Sequence, residues 1–467
     1  MREESLYQDL KKSLIHEPTE GQDLALQILA PFCLSRKGGE AFVLRGYAGT
    51  GKTTLMSTLA KVLPNYQRKL VFLAPTGRAA KVLSSYTKRK AFTIHKHIYT
   101  PVSSGGKIVF RLKENGASNT IFVVDEASMI GEDLATGRSN QLLQDLISFV
   151  REGINCRLLF VGDIAQLPPV GEKVSAALSA QRLRQYYNLE VGQYELVEVV
   201  RQADQSGILH NATYLREKLP EAPFQSLELE EGADFIRIRE GHELQDHLEQ
   251  AYYENSRETV LLCRSNKRAN QFNQEIRTRI KGLDGEIQGG EILMAVKNNY
   301  HWVEAKSPAG FIANGDLLEV LQIFDTEEKY GFRFANIRAQ LVDYPEMPEV
   351  EMKIWLDALH IDAASMPYEA SQKLFGEVQS AYQATKKGYK KLMQIRKDPY
   401  LNALQVKYAY AVTCHKAQGG QWEHVFIERG YIPSNELDLE YLRWLYTGIT
   451  RATKKVYMIG FTDGFFK

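Results

Sequence analysis

An α/β fold with parallel sheets, divided among more than one domain, is predicted from three observations. Over the first 200 residues short apolar runs alternate with helical patterns. Each run ends directly in a polar signature, and a second alternating region begins near Thr259-Val260-Leu261-Leu262-Cys263. Such alternation implies parallel sheets covered by helices on both faces, with ligands beyond the carboxyl ends of the strands. The first-half runs are Ala41–Leu44, Leu70–Leu73, Ile121–Val124 and Leu158–Val161. At 467 residues the chain is too long for one ordinary core, and two to four domains are expected.

The first run leads into Gly46-Tyr47-Ala48-Gly49-Thr50-Gly51-Lys52-Thr53, a complete G-x-x-x-x-G-K-T phosphate-binding loop. Thr54 to Leu63 follows with apolar residues at helical spacing, so strand, loop and helix stand in the order the motif needs. Its glycines let backbone N–H groups turn inward around phosphate oxygens, and the helix N-terminus adds partial positive charge. Lys52 is expected to reach the β- and γ-phosphates, and the Thr53 hydroxyl to ligate Mg²⁺. The third run ends in Asp125-Glu126. Asp125 is expected to hold Mg²⁺ through water, and Glu126 to orient or deprotonate the attacking water. The fourth run ends in Gly162-Asp163-Ile164-Ala165-Gln166-Leu167-Pro168-Pro169-Val170, where the Gln166 amide is suited to sense a γ-phosphate or, equally, to cap a turn.

Three stretches interrupt the alternation. Tyr99 to Asn119 reads as a small β-hairpin, with Ser103-Ser104-Gly105-Gly106 at its centre and alternating residues after it. Asp316 to Leu341 reads as short strands with turns, as in a small barrel, and Glu349 to Tyr400 as charged helix. Within that helix Lys386-Lys387-Gly388-Tyr389-Lys390-Lys391 suits a phosphate backbone or a solvated face. The lobe pattern resumes near Tyr408.

Composition narrows the class. Hydrophobic content of 44% and charged content of 25% suit a soluble globular chain, and the net charge of +1 confines any basic track to a local region. Cys33, Cys156, Cys263 and Cys414 stand singly with no C-x-x-C pair, so neither a zinc ribbon nor a disulfide framework is indicated, and the pattern suits a reducing cytosol. No signal peptide and no apolar run of membrane-spanning length is found, so a cytoplasmic protein without a membrane partner is expected.

With these motifs placed, the chain resembles superfamily 1 helicases of the RecD-like branch, which includes the phage helicase Dda and the PIF family. Leu73-Ala74-Pro75-Thr76-Gly77-Arg78-Ala79-Ala80 resembles motif Ia, Thr93-Ile94-His95 motif Ib, and Gly162-Asp163 through Val170 motif III. Val200-Arg201-Gln202 resembles motif IV, Thr413 through Gly419 motif V, and Tyr446-Thr447-Gly448-Ile449-Thr450-Arg451-Ala452 motif VI. The matches run in order across nearly the whole chain.

The resemblance implies two RecA-like lobes with ATP and Mg²⁺ between them. The first would span residues 1–200, the second 201–315 and 405–467, and an SH3-like barrel with a charged helical insert 316–404. Lys52, Glu126 and Gln166 would act in catalysis with Arg201 and Arg451 as arginine fingers. Gln22 would read adenine, and Gly46, Ala48, Gly49, Thr50, Gly51, Thr53, Thr54, Asp125 and Gly419 would complete the nucleotide site. Pro75, Thr76, Thr93, His95, Thr413 and His415 match positions that touch a DNA strand, and Tyr99 and Phe110 are candidate stacking rings; Tyr300, His301 and Trp302 are others. The function implied is ATP-dependent 5′ to 3′ translocation on single-stranded DNA by a monomer acting at duplex junctions, with the 99–119 hairpin as a pin. An RNA-directed helicase or remodelling ATPase is the alternative; a non-hydrolysing switch and a nuclease are less consistent with the residues found.

Overall fold

The apolar runs become strands buried on both faces. The computed structural model describes residues 2–104, 107–131, 142–200, 206–304, 306–382, 394–432 and 436–467. In the first lobe the strands are β1 (Glu40–Gly46), β2 (Lys69–Ala74), β3 (Ala91–Thr93), β4 (Tyr99–Ser104), β5 (Lys107–Leu112), β6 (Thr120–Val124), β7 (Arg157–Gly162) and β8 (Glu190–Leu196). Six of them form one parallel sheet in the order β3-β2-β6-β7-β1-β8. Side chains alternate across it. Phe42 and Leu44 pack with helices Arg2–Ser13, Glu20–Leu34 and Lys52–Val62, while Ala41 and Val43 pack on the other face with Leu142–Glu152. β4 and β5 form the separate antiparallel hairpin, with Tyr99 opposite Leu112.

The second lobe adds β9 (Phe235–Ile238) and β10 (Thr259–Cys263). The chain then leaves it for β11 (Ile292–Ala295), β12 (Leu317–Lys329), β13 (Phe332–Leu341), β14 (Val350–Trp355) and β15 (Leu404–Tyr408). It returns with β16 (Ala411–Thr413), β17 (Trp422–Glu428) and β18 (Ala452–Ile459). The lobe sheet is parallel in the order β16-β10-β17-β18-β9. The five intervening strands close into a barrel. One continuous apolar core joins barrel and lobe.

Two expectations about the inserted region are corrected. The barrel begins at Ile292, ahead of 316, because Ile292–Ala295 pairs with Leu317–Glu319 and Val406–Tyr408, contacts that no local pattern displays. Val350–Trp355 is a strand and not a helix, held by its pairing with Phe334–Ala339. Helix does follow at Tyr368–Ala381. The 386–391 lysine run lies outside the described residues.

The sheet order positions the sites. β6, β7 and β1 are adjacent, so Asp125, Asp163 and the phosphate loop emerge side by side from one edge. β2 and β3 lie beyond β6 and deliver Thr76 and Thr93 along the same edge.

Candidate nucleotide site and nucleic-acid face

The phosphate loop is shaped by backbone that only glycine adopts without strain. Gly49 and Gly51 have φ of 75° and 85°. At Gly51 an added Cβ would lie 2.2 Å from Gln22 Nε2, so the loop also excludes a side chain on steric grounds. Gln22 is buried, N-terminal in helix Glu20–Leu34 through a capping box with Thr19, and donates to Thr50 O at 3.0 Å. It thus braces the loop from the side where Val199 and Val200 also approach. Lys52 opens the following helix, and its Nζ donates to Gly46 O at 2.6 Å and Tyr47 O at 2.8 Å. Thr50 Oγ1 donates to Tyr47 O at 2.8 Å, closing the turn from within. Thr53 is half-buried and Thr54 exposed in the first turn of that helix.

Asp125 and Glu126 follow β6. Burial pushes the Asp125 carboxyl up to about 7, and the neighbouring Glu126 charge adds to the rise. Glu126 has φ 50° and ψ 38°, a left-handed conformation rare for a residue with a side chain. Such strain is held in place by surrounding structure and concentrates at functional positions. Arg451 Nη1, reaching across from the second lobe, lies 3.5 Å from Glu126 Oε1. Arg451 is itself only 4% exposed, and its Nε donates to Thr447 O at 3.1 Å.

The end of β7 is clamped by the second lobe. Tyr446, in helix Leu439–Ile449, donates its hydroxyl hydrogen to Asp163 Oδ2 at 2.6 Å and accepts from Ala48 N at 2.9 Å. Leu167 N donates to Thr447 Oγ1 at 2.8 Å, and Gln418 Nε2 donates to Leu167 O at 2.7 Å. Gln166 stands between these contacts, with its side-chain oxygen buried and without a hydrogen bond among the described residues. The residues forming this clamp were within recognised motifs, but no role for Tyr446, Asp163 or Gln418 was legible. The signal available was only an aromatic hydroxyl inside an otherwise catalytic motif.

These groups fit a magnesium–nucleotide. The loop, the helix N-terminus and Lys52 suit phosphate oxygens, while the Thr53 hydroxyl and the Asp125 carboxylate are the oxygen donors a hard divalent cation takes. The burial that raises Asp125 beside Glu126 is the electrostatic condition that a bound cation relieves. Arg201 lies outside the described residues. Gly419 stands away from the phosphate loop in the contacts it makes: a Cβ there would lie 2.8 Å from Ala79 Cβ and 3.2 Å from Thr76 Oγ1.

Around that contact lie the nucleic-acid candidates. Thr76, following Pro75, caps helix Gly77–Thr87 by accepting from Ala79 N, and Thr93 caps Ile94–Ile98 by accepting from Lys96 N, each at 3.2 Å. Thr413 stands before helix Cys414–Ala417 with no side-chain cap. His95 and His415 are half-buried, and burial lowers both imidazoles. Tyr99 and Phe110, at the base of the hairpin, belong to a chain of rings. Centroids lie 5.7 Å apart for Tyr99–Phe110, 5.1 Å for Phe110–Tyr300 and 4.8 Å for Tyr300–Phe311. Tyr99 also donates its hydroxyl to Asp145 at 2.7 Å. Trp302 donates to Asn402 O at 2.7 Å, with His301 edge-on to it. Arg78 ties the lobes on this side, 4.0 Å from the Trp422 ring centroid and donating to Gln421 O at 2.9 Å.

Comparison with known proteins adds the following. Residues 27–241 match the family described as AAA domain, and residues 408–459 the family described as UvrD-like helicase C-terminal domain. The ATP-dependent DNA helicase dda of Enterobacteria phage T4 is 24% identical over 94% of this chain and 99% of its own length. An uncharacterized protein of Methanocaldococcus jannaschii is 24% identical over 89% of this chain, which spans only 36% of that relative. A solved structure concerned with DNA unwinding at forked double-stranded DNA by two coordinating Pif1 helicases is 14% identical, with a TM-score of 0.49 over 96% of this chain and 94% of that one. Among the described residues no helix is long and apolar enough to cross a membrane.

Proposed function

We propose, for a chain that belongs to the superfamily 1 helicases of the Pif1/Dda/RecD-like branch, that it is an ATP-dependent DNA helicase translocating 5′ to 3′ on single-stranded DNA. It would act as a monomer in the cytoplasm, at junctions between single and double strands. The observation that carries the reading is the reach of Arg451 to Glu126 across the lobe interface. A site completed by both lobes makes hydrolysis sensitive to how the lobes sit.

Lys52 exchanges its loop carbonyls for the β- and γ-phosphates, and Gln22 borders the adenine. Thr53 and Asp125 would hold Mg²⁺, which would neutralise charge on the phosphates. Glu126 orients the attacking water and takes its proton. Arg451, with Arg201, stabilises charge that develops during phosphoryl transfer, an effect of about 10³–10⁵ in rate for an arginine finger. Gln166, between the clamped residues, senses the γ-phosphate. Closure of the lobes on ATP and opening after hydrolysis then alternate the grip of Thr76 and Thr93 with that of Thr413 and His415 on the strand's phosphates. The 99–119 hairpin is the pin that parts the duplex; its base is anchored by the ring chain to the segment between the first two barrel strands.

The test is ATP hydrolysis with single-stranded DNA, with single-stranded RNA and with neither. Stimulation by DNA is expected. Lys52→Ala abolishes it with loss of ATP binding, and Glu126→Gln abolishes it with ATP and DNA binding retained. Normal hydrolysis by the Glu126 variant would remove that residue from its role, and stimulation by RNA alone would redirect the substrate.

A further inference from the structure

The charge of the chain is distributed unevenly. The 73 residues from Ala41 to Lys113 hold fourteen of the 58 Lys and Arg and none of the 57 Asp and Glu. The near-neutral total therefore hides a first-lobe region of one sign, offset by acid elsewhere. Several of these cations are already used: Lys52 in the phosphate loop, Arg68 on the carbonyls of Leu34 and Ser35, Arg78 on Trp422.

Lys88-Arg89-Lys90 is different. It joins helix Gly77–Thr87 to β3, all three residues are exposed, and no ion pair engages them among the described residues. They line one wall of a cleft with Lys81 and Lys96. The facing wall comes from Pro308 and the barrel turn at 343–346. Of the two carboxylates there, Asp343 is buried and paired with Lys81 at 3.3 Å, leaving Glu346 against the three free cations. Lys96 donates to Ser307 O at 3.1 Å and to Pro308 O, which fixes the cleft floor. Burial first, and the like charges of Lys90 and Lys113 after it, lower its ammonium to about 8.

We propose that this cleft, which shares Thr93 with the single-strand track, takes one phosphate backbone of the duplex arm on Lys88, Arg89 and Lys90. The proposal rests on the helicase reading above. Two features favour duplex over single strand: the closed rings of the walls and the place of the run along the chain. Single-strand sites pair cations with open aromatic platforms, whereas the rings in these walls are closed. Phe92 and Tyr344 are both half-buried, and Lys90 Nζ lies 5.4 Å from the Phe92 centroid. The remaining polar groups, Ser84, Ser85 and Thr93, are hydroxyls suited to the phosphate oxygens of either form. The run also lies next to Thr93, one short helix from the hairpin at Tyr99, and so beside the point where strands would part.

The test uses the full chain with Lys88→Asn, Arg89→Gln and Lys90→Gln together. Asn is chosen because Lys88 has φ 52°, which Asn tolerates. Binding to a 5′ single-stranded tail alone, a blunt duplex and a tailed duplex is measured across a salt series. Loss of three phosphate contacts lowers the log–log salt slope on both duplex-containing probes by about 0.9 for each. Affinity for those probes is expected to fall roughly tenfold or more at low salt, with the tail alone unchanged. Unchanged duplex binding makes the cluster a solvated face and overturns the proposal. An equal loss on the tail places the cations in the single-strand track and also overturns it. If the unaltered protein binds none of the probes, the helicase reading fails and not merely this site.

Discussion

The two halves of the first-lobe sheet use the same edge in opposite ways. On the β6-β7-β1 half, polar groups are buried and fixed. Asp163 is buried and Asp125 half-buried, Glu126 is held in a left-handed conformation, and Tyr446 and Arg451 are buried partners from the other lobe. On the β3-β2 half the candidates are threonines that double as helix caps, and cations open to water lead into the other end of β3. Phosphoryl transfer needs fixed dipoles and charges in a dry site, since stabilisation there depends on preorganisation. Holding a strand without reading its sequence needs exposed donors and a broad positive field, which must also let go.

That contrast is open to attack at several strengths. Arg451→Ala should lower DNA-stimulated turnover by about 10³–10⁵ while ATP still binds. A drop of only a few-fold would remove Arg451 from the transition state. Tyr446→Phe leaves Ala48 N and Asp163 Oδ2 without a shared partner in a buried place, at about 1–3 kcal/mol for each unmet group. Turnover should fall about tenfold or more, with single-strand affinity unchanged; unaltered kinetics would reduce the clamp to packing.

On the other half, Thr93→Val and Thr413→Val should separate two duties of one hydroxyl. Thr93 caps a helix, so its loss should cost about 1 kcal/mol in denaturant unfolding. Thr413 makes no cap, so its variant should keep full stability and lose a few-fold in single-strand affinity. Equal stability losses, or unchanged DNA affinity, would contradict that division.

The smallest expected effect on turnover concerns His97, ringed by Phe92, Phe122 and Phe149 at 5.6–5.8 Å. Burial first, and Lys113 second, lower its imidazole to about 4. Between that value and the unfolded value of about 6.5, the unfolded chain binds more protons. Its stability contribution is therefore present above the unfolded value and lost as pH falls toward 4. His97→Phe should flatten the acid limb of stability measured by denaturant; an unchanged limb would place the acid sensitivity elsewhere.

What was legible in the sequence follows how local each determinant is. The phosphate loop and Asp125-Glu126 could be read because strand, turn and helix are contiguous, and the hairpin because its two strands are. The barrel's first strand could not, since Ile292–Ala295 resembles any buried lobe strand until paired with residues near 317 and 407. β14 reads as part of the charged helical stretch because Glu351 and Lys353 alternate with its apolar residues and only pairing with β13 marks it as strand. The Tyr446 clamp spans 283 residues to Asp163, so only the fold reveals it. The open cations at 88–90 were masked by a net charge of +1.

The central claim is a directional motor. It is tested most directly by unwinding of two partial duplexes, one with a 5′ and one with a 3′ single-stranded tail, with and without ATP and Mg²⁺. Strand separation of the 5′-tailed duplex alone, and only with ATP, is the predicted result. Separation of the 3′-tailed duplex alone would contradict the direction, and failure to open either would contradict the helicase itself.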